Sequence, residues 1–317
     1  MSQQGILIGL SAVIVRVLGE GPQAFIIRKD GDPNDALPFG PFDPDNHETL
    51  ELGLRSWVAK QTPIVPGYVE QLYTFGNKGR YTGQQEDGPR VISVGYLALT
   101  HNEKKPEDGA SWGNWYDYFP WEDWRTGKPA LISEIIAPEL GRWVEAGSDP
   151  AMREHRKWRA SSLFGLYGMA WDEERVLERY ELLYEARLVE EALRDKKMQM
   201  AAGRIVLPGK SMRFDHRRIL ATSISRLRGK LKYRPLVFEL MPDKFTLFEL
   251  QKTVEAIAGR GLHKQNFRRL VETAGLVEET GEIQPGGRGR PAELYRFRRD
   301  VLLERPAPGV RLSSRKV

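Results

Sequence analysis

The sequence predicts an α+β protein of two units: an N-terminal αβα sandwich carrying a helical insertion, then a helix-turn-helix followed by a β-hairpin. Three observations carry this expectation. Ile/Val-rich segments bounded by turn residues dominate the first hundred positions, and helical periodicity replaces them from about Ala130 to Lys197. Charge and tryptophan content also split along the chain. From Gly203 onward there are 25 Lys+Arg against 12 Asp+Glu, or +13, whereas the first 202 residues hold 23 against 31, or −8, together with all eight tryptophans. With 317 residues the chain is long enough for two cores, and its basic half is a candidate for a polyanionic partner.

Taken in order, Ile6–Val17 and Ala24–Arg28 read as strands of a hairpin around Leu18-Gly-Glu-Gly-Pro22. A Pro/Gly/Asp-rich loop from Asp30 to Asn46 leads into a helix over His47–Gln61, with Leu50, Leu54, Trp57 and Val58 on one face and Pro63 closing it. Gly67–Phe75 and Val91–Thr100 are two further strands. An aromatic segment follows, Trp112 to Trp124, and then a helical insertion over about 125–203. Its clearest helix is Asp172–Lys196, with Asp172 as N-cap. Phe214–Lys232 is an amphipathic helix, and Tyr233-Arg-Pro235 breaks the chain. The expected division is 1–232 for the first unit, 233–303 for the second, and a disordered tail over 304–317.

Composition excludes several chemistries. Without cysteine there is no disulfide, thiolate nucleophile or Cys-ligated metal, and five scattered histidines leave little for a His-built metal site. The longest apolar run, Ile6 to Val15, is too short to span a bilayer and lacks the flanks of a secretory signal, so a cytoplasmic protein with no membrane partner is expected.

Leu37-Pro-Phe39-Gly-Pro, Arg55 and the helix between them resemble a Nudix box, the loop–helix–loop that follows a hairpin in Nudix hydrolases. Laid from Arg55, the three glutamates that hold magnesium in that family fall on Ser56, Ala59 and Lys60. Mg²⁺ requires hard anionic oxygens, and the lysine repels it. No catalytic residue, metal or catalytic cofactor is therefore expected. Glu48 and Glu51 remain on the helix, and a pyrophosphatase using such rearranged carboxylates is the enzyme alternative.

A cleft that keeps its shape without its metal ligands suits a nucleotide that is bound and not cleaved. Arg28, Arg55 and Arg80 are the candidate phosphate contacts, because guanidinium groups grip phosphate in a bidentate manner. Each would equally serve a surface ion pair. Phe39 joins them from the box, and Trp115 and Phe119 are kept as ring platforms although such a cluster more often forms core. A vestigial cleft on a domain that only dimerises is the plainer alternative.

Thr246-Leu-Phe-Glu249 is a capping box opening a helix with Leu247, Leu250, Val254 and Ile257 on one face. Gly259-Arg-Gly261 turns the chain into a second helix, about Leu262 to Thr273. There Phe267, Leu270, Val271 and Ala274 form the inner stripe. Lys264, Gln265, Asn266, Arg268 and Arg269 are left outside, the residue types that read base edges. A strand Leu276–Glu279, a loop Gly281–Pro291 bearing Arg288 and Arg290, and a strand Ala292–Arg298 complete a wing. The candidate DNA contacts are thus Thr246, Lys264, Gln265, Asn266, Arg268, Arg269, Arg288 and Arg290. An RNA-binding or protein-interaction module is the competing class.

Leu72-Tyr-Thr-Phe-Gly-Asn-Lys-Gly-Arg80, Val91 to Leu99, Phe214-Asp-His216, Leu227 to Tyr233, Asn266-Phe-Arg-Arg269 and Gly287-Arg-Gly-Arg-Pro291 resemble the Nudix-related transcriptional regulators of NAD metabolism, the NrtR family. The insertion looks like that of its larger, NadQ-like alphaproteobacterial branch. The resemblance implies a homodimeric repressor of NAD biosynthesis genes. Its winged helices would meet double-stranded operator DNA, and its Nudix-like domain would sense an adenine nucleotide: NAD, ADP-ribose or ATP.

Overall fold

Alternation of apolar side chains sets the central sheet. In strand β1 (Ile6–Leu18) Leu10, Ala12 and Ile14 are buried toward one layer, while Val13 and Val15 are buried toward the other. The computed structural model describes residues 5–19, 21–28, 31–77, 89–101, 104, 106, 108–195, 209–232, 234–284 and 291–301. The expected tail over 304–317 lies outside them.

Strands β2 (Gly21–Ile27), β3 (Phe39–Pro41), β4 (Tyr68–Phe75), β5 (Arg90–Leu99) and β6 (Ala110–Asn114) complete the sheet in the order β4-β5-β1-β2-β6, with β3 paired to β1. β1 and β5 run parallel from Ile6 opposite Arg90 to Val15 opposite Leu99. Buried on both faces, these two centre the core.

Helix α1 (Leu50–Gln61) covers one face through Leu54 and Val58. It begins three residues later than the expected His47, because Thr49 Oγ1 accepts from Leu52 N–H at 3.1 Å and His47 is held in the preceding turn by the Asp43 N–H. Helix α7 (His216–Leu231) covers the opposite face.

Between α1 and α7 in the chain come helices α2 (Trp115–Tyr118), α3 (Ala137–Glu145), α4 (Pro150–Phe164), α5 (Val176–Glu185) and α6 (Glu190–Asp195), which join the cluster on the α7 side. Ile219, Leu220, Ile224, Leu227 and Leu231 form the buried side of α7. The single helix expected over Asp172–Lys196 is two helices. Arg187 has φ +59° and turns the chain between them, and Asp172 caps no helix: its Oδ1 accepts from Glu174 N–H in a local turn. Phe214, also at positive φ, stands ahead of α7.

The C-terminal unit comprises α8 (Leu247–Ala258), α9 (Lys264–Ala274), β7 (Val277–Gln284) and β8 (Ala292–Phe297). Helix α9 begins and ends slightly later than its sequence suggests, and β7 extends through Gln284, past a register shift beside Gly281 at φ +74°. Phe245 and Tyr295 exchange backbone bonds of 3.0 and 2.8 Å, which adds a short third rung to the wing. One continuous apolar cluster takes in the α7 face of the sheet, Trp115, Phe119 and Trp121, the insertion helices, and Leu247, Val254 and Phe267 of this unit.

His216, at the head of α7, is fully buried and its Nδ1 accepts from Leu37 N–H at 3.1 Å. Burial, assisted by nearby Arg213 and Arg194, pushes its pKa from 6.5 down to about 3. The neutral ring is therefore favoured by the fold. Its contribution is complete above pH 6.5 and is lost as pH falls toward 3, because the unfolded chain takes up a proton that the folded one refuses. Stability between pH 6 and 4 is expected to fall by ~1.4 kcal/mol per pH unit from this group alone. His216→Asn should flatten that slope in urea unfolding followed across pH; an unchanged slope would show that another group sets it.

Candidate functional site

The loop 32–39 forms one edge of the sandwich, and residues 211–216 clamp it. Arg213 N–H donates to Asp35 O, Asp35 pairs in a short parallel bridge with Met212, and Arg213 Nε meets Asp32 Oδ2 at 2.8 Å. Asp35 is buried and holds two partners: Arg28 Nε donates to Oδ1 at 2.6 Å and Tyr118 OH to Oδ2 at 2.5 Å. Burial first, then this bond, raises the Tyr118 pKa, so its hydroxyl remains a donor at any physiological pH. The Arg28 side chain is 55% exposed, so its outer edge faces solvent. Phe39 lies nearby, its ring edge-on to Phe214 and His216 at centroid distances of 5.4 and 5.1 Å, its backbone bonded both ways to Gln61.

Arg28 and Phe39 thus flank one loop. The other sequence candidates are placed differently. Arg55 is occupied, with Nε and Nη2 on Glu51 Oε1 and Nη1 on Pro66 O at 3.1 Å. Trp115 and Phe119 are wholly buried in the apolar cluster, so neither offers a platform; large rings here fill core volume between the sheet and α5. Arg80 lies outside the described residues. Asp35, Tyr118 and Arg213 are members of this edge that the sequence did not single out, although Phe214-Asp-His216 marked the clamping segment.

On α1, Ala59 and Lys60 are exposed and Ser56 is half-buried. Trp57 packs across Gly40 and donates Nε1–H to Pro41 O at 2.8 Å, with the Lys60 ammonium 4.8 Å from its ring. A β-carbon on Gly40 would overlap the indole. Gly40→Ala is expected to cost about 1–3 kcal/mol through overpacking. The cost should shrink in a Trp57→Ala background, and equal penalties in both backgrounds by urea unfolding would refute the clash.

In the C-terminal unit Lys264, Gln265, Asn266, Arg268 and Arg269 are all exposed along α9, while Phe267 and Val271 are buried. The turn before α9 is fixed from within: Glu255 Oε1 accepts from Leu262 N–H at 2.9 Å, and Gln251 Nε2 donates to Leu262 O at 2.9 Å. Lys264 and Arg268 line a cavity of about 370 Å³ with Phe248, Pro291 and Tyr295, where α8, α9 and β8 meet. Thr246 is buried and committed to its cap. Its Oγ1 accepts from Glu249 N–H at 3.2 Å and its own N–H donates to the Glu249 carboxylate at 2.7 Å, which corrects its assignment as a direct DNA contact. Arg288 and Arg290 lie outside the described residues.

A fixed turn, a helix presenting an unbroken polar and basic face, and an adjoining hairpin define a winged helix-turn-helix of the DNA-binding class. Residues 237–297 match the family model of the NrtR DNA-binding winged helix domain. The ADPR responsive transcriptional repressor NtrR of Acinetobacter baylyi is 46% identical over 84 residues, 26% of this chain; the match spans about a third (33%) of that relative. Over most of its length the chain has a fold similar to that of solved NrtR. Shewanella oneidensis NrtR complexed with a 27mer DNA has 20% identity and a TM-score of 0.54, covering 93% of this chain and 94% of that one. A MutT/nudix family protein from Enterococcus faecalis has 14% identity and a TM-score of 0.53, covering 94% and 88%. The expected Nudix-like sandwich followed by a winged helix is therefore the fold of this chain. Among the described residues no helix is long and apolar enough to cross a membrane.

Proposed function

We propose that the chain is a transcriptional repressor of NAD biosynthesis genes that binds operator DNA through α9 and the wing and senses an adenine nucleotide in its Nudix-like unit. The observation that carries this reading is the α9 face: five polar or basic side chains stand together on the second helix of an NrtR-type DNA-binding domain. ADP-ribose is the first effector to test, because the relative that is 46% identical over 84 residues is ADPR responsive; NAD and ATP follow. A homodimer would place two α9 helices in successive major grooves, with the units dividing near residues 232 and 303. Of the nucleotide candidates, Arg28 and Phe39 keep this role, with Arg80 proposed from sequence. Of the DNA candidates, the five on α9 keep it, with Arg288 and Arg290 proposed from sequence.

The sandwich is proposed as a sensor without hydrolase activity, since serine, alanine and lysine at positions 56, 59 and 60 supply no magnesium ligand. The deciding experiment is fluorescence anisotropy on duplex DNA from upstream of its own gene and of NAD-synthesis genes in the same genome, with and without saturating ADP-ribose, NAD or ATP. Tight, sequence-selective binding altered by the nucleotide is expected. Selective binding that ignores NAD, ADP-ribose and ATP alike would remove the sensor half of the proposal, and magnesium-dependent ADP-ribose turnover would refute the claim of inactivity.

A further inference from the structure

Helix α2 has only one turn, yet its two tyrosines reach opposite parts of the molecule. Tyr118 OH donates to Asp35, the carboxylate that also holds Arg28. Two residues earlier, Tyr116 OH donates to Ala256 O at 2.7 Å, in the last turn of α8. The rest of the molecule binds three carbonyls at the end of α8: Ala256 O by Tyr116, Ile257 O by Arg228 Nε at 2.9 Å, and Gly259 O by Trp124 N–H at 2.7 Å. These are the carbonyls that a helix C-terminus leaves without an internal partner. Gly259 is in the left-handed region, φ +69°, and a β-carbon there would meet Arg228, the Glu122 carbonyl and the Tyr116 hydroxyl.

The link has little slack. The Asn114 side chain caps α2 through Tyr116 N–H at 3.0 Å, Trp115 and Phe119 on either side are fully buried, and Tyr116 OH also receives Arg228 Nη2 at 3.3 Å. Movement of Tyr118 at the loop edge must therefore be taken up at Tyr116, beside the helix-turn-helix.

We infer that α2 is the coupling element between the nucleotide edge and the DNA-binding unit, with Tyr118 and Tyr116 as its two positioning residues. The inference rests on the functional reading above for its ligand, an anionic adenine nucleotide. Phosphate oxygens compete with Asp35 for Arg28 through charge-assisted hydrogen bonds, and the Asp35–Tyr118 contact then readjusts. The two arrangements of α2 differ in how they hold Ala256, which gives the nucleotide the differential affinity it needs to shift DNA binding.

Two conservative variants test this. Tyr118→Phe, read by amide hydrogen exchange without any nucleotide, should raise exchange at Gly259–Leu262 by about five-fold, the effect of losing one buried hydrogen bond; no change there would overturn the inference. Tyr116→Phe should reduce the factor by which saturating ADP-ribose alters DNA affinity by at least about five-fold, within the usual range of coupling between sites. Its ADP-ribose affinity measured without DNA should stay within about two-fold of native. An unchanged factor in Tyr116→Phe would equally overturn it. If the native protein showed no ADP-ribose response, the functional reading would fail, and the exchange experiment would still decide whether α2 links the two regions.

Discussion

Glu122→Ala is expected to cost the fold about 3–5 kcal/mol or more, the largest effect of any single change considered. The Glu122 carboxylate is fully buried between two fully buried guanidinium groups. Arg179 meets it through Nε at 2.6 Å and Nη2 at 2.9 Å, and Arg228 through Nη1 at 2.8 Å. The remaining guanidinium donors go to Leu163 O and Asp172 O from Arg179 and to Ile257 O, Glu173 O, Glu122 O and the Tyr116 hydroxyl from Arg228, and Arg179 also lies 3.7 Å from the Trp171 ring centroid. Removing the carboxylate strands positive charge where water cannot reach, which is far more costly than losing an exposed pair such as Arg159–Glu185. Urea unfolding decides it: a loss below about 1 kcal/mol would mean that the arginines find other partners. Glu122→Gln, which keeps the acceptor oxygen but not the charge, should fall between native and alanine.

The second large effect concerns DNA. Arg268→Ala and Arg269→Ala should each weaken binding to a cognate operator by about 1–3 kcal/mol if the side chain reads a base edge. If it instead meets phosphate, affinity should fall alike for all sequences and the salt slope should shrink by about 0.9. Arg268 is held only loosely, 3.9 Å from Glu272, so it can turn to a ligand without breaking a strong pair. Affinity and salt slope measured on cognate and scrambled duplexes separate the two roles. Arginines that left both quantities at native values would place the DNA-reading face elsewhere.

How far the sequence revealed this molecule depended on whether the signal was local. β1 and β5 were legible because strands buried on both faces become runs of Ile, Val and Leu, and α8 because Thr246 and Glu249 satisfy each other within four residues. β6 was not, since Ala110-Ser-Trp-Gly-Asn114 is half-buried throughout and shows no alternation. The break in the insertion escaped because the left-handed residue is Arg187 in place of a glycine, and buried Leu188 and Val189 continue the apolar stripe past it. The site divides in the same way. The outward face of α9 follows from helical period alone, and all five of its residues are exposed. The loop edge does not, because Tyr118 finds Asp35 across 83 positions. Trp115 and Phe119 were misplaced for a related reason: an aromatic cluster looks the same in sequence whether it lines a cleft or fills a core.

The single apolar cluster that runs from the sheet through the insertion into α8 and α9 bears on how such a protein can evolve. The winged helix is no interchangeable cassette. Grafted onto an unrelated sandwich, it would lose Tyr116, Trp124 and Arg228, the donors that bind the end of α8, along with its share of the common apolar cluster. A new operator preference is therefore more readily acquired by substitution on the outer face of α9 than by exchange of the whole unit, because that face alone can change without disturbing what lies beneath.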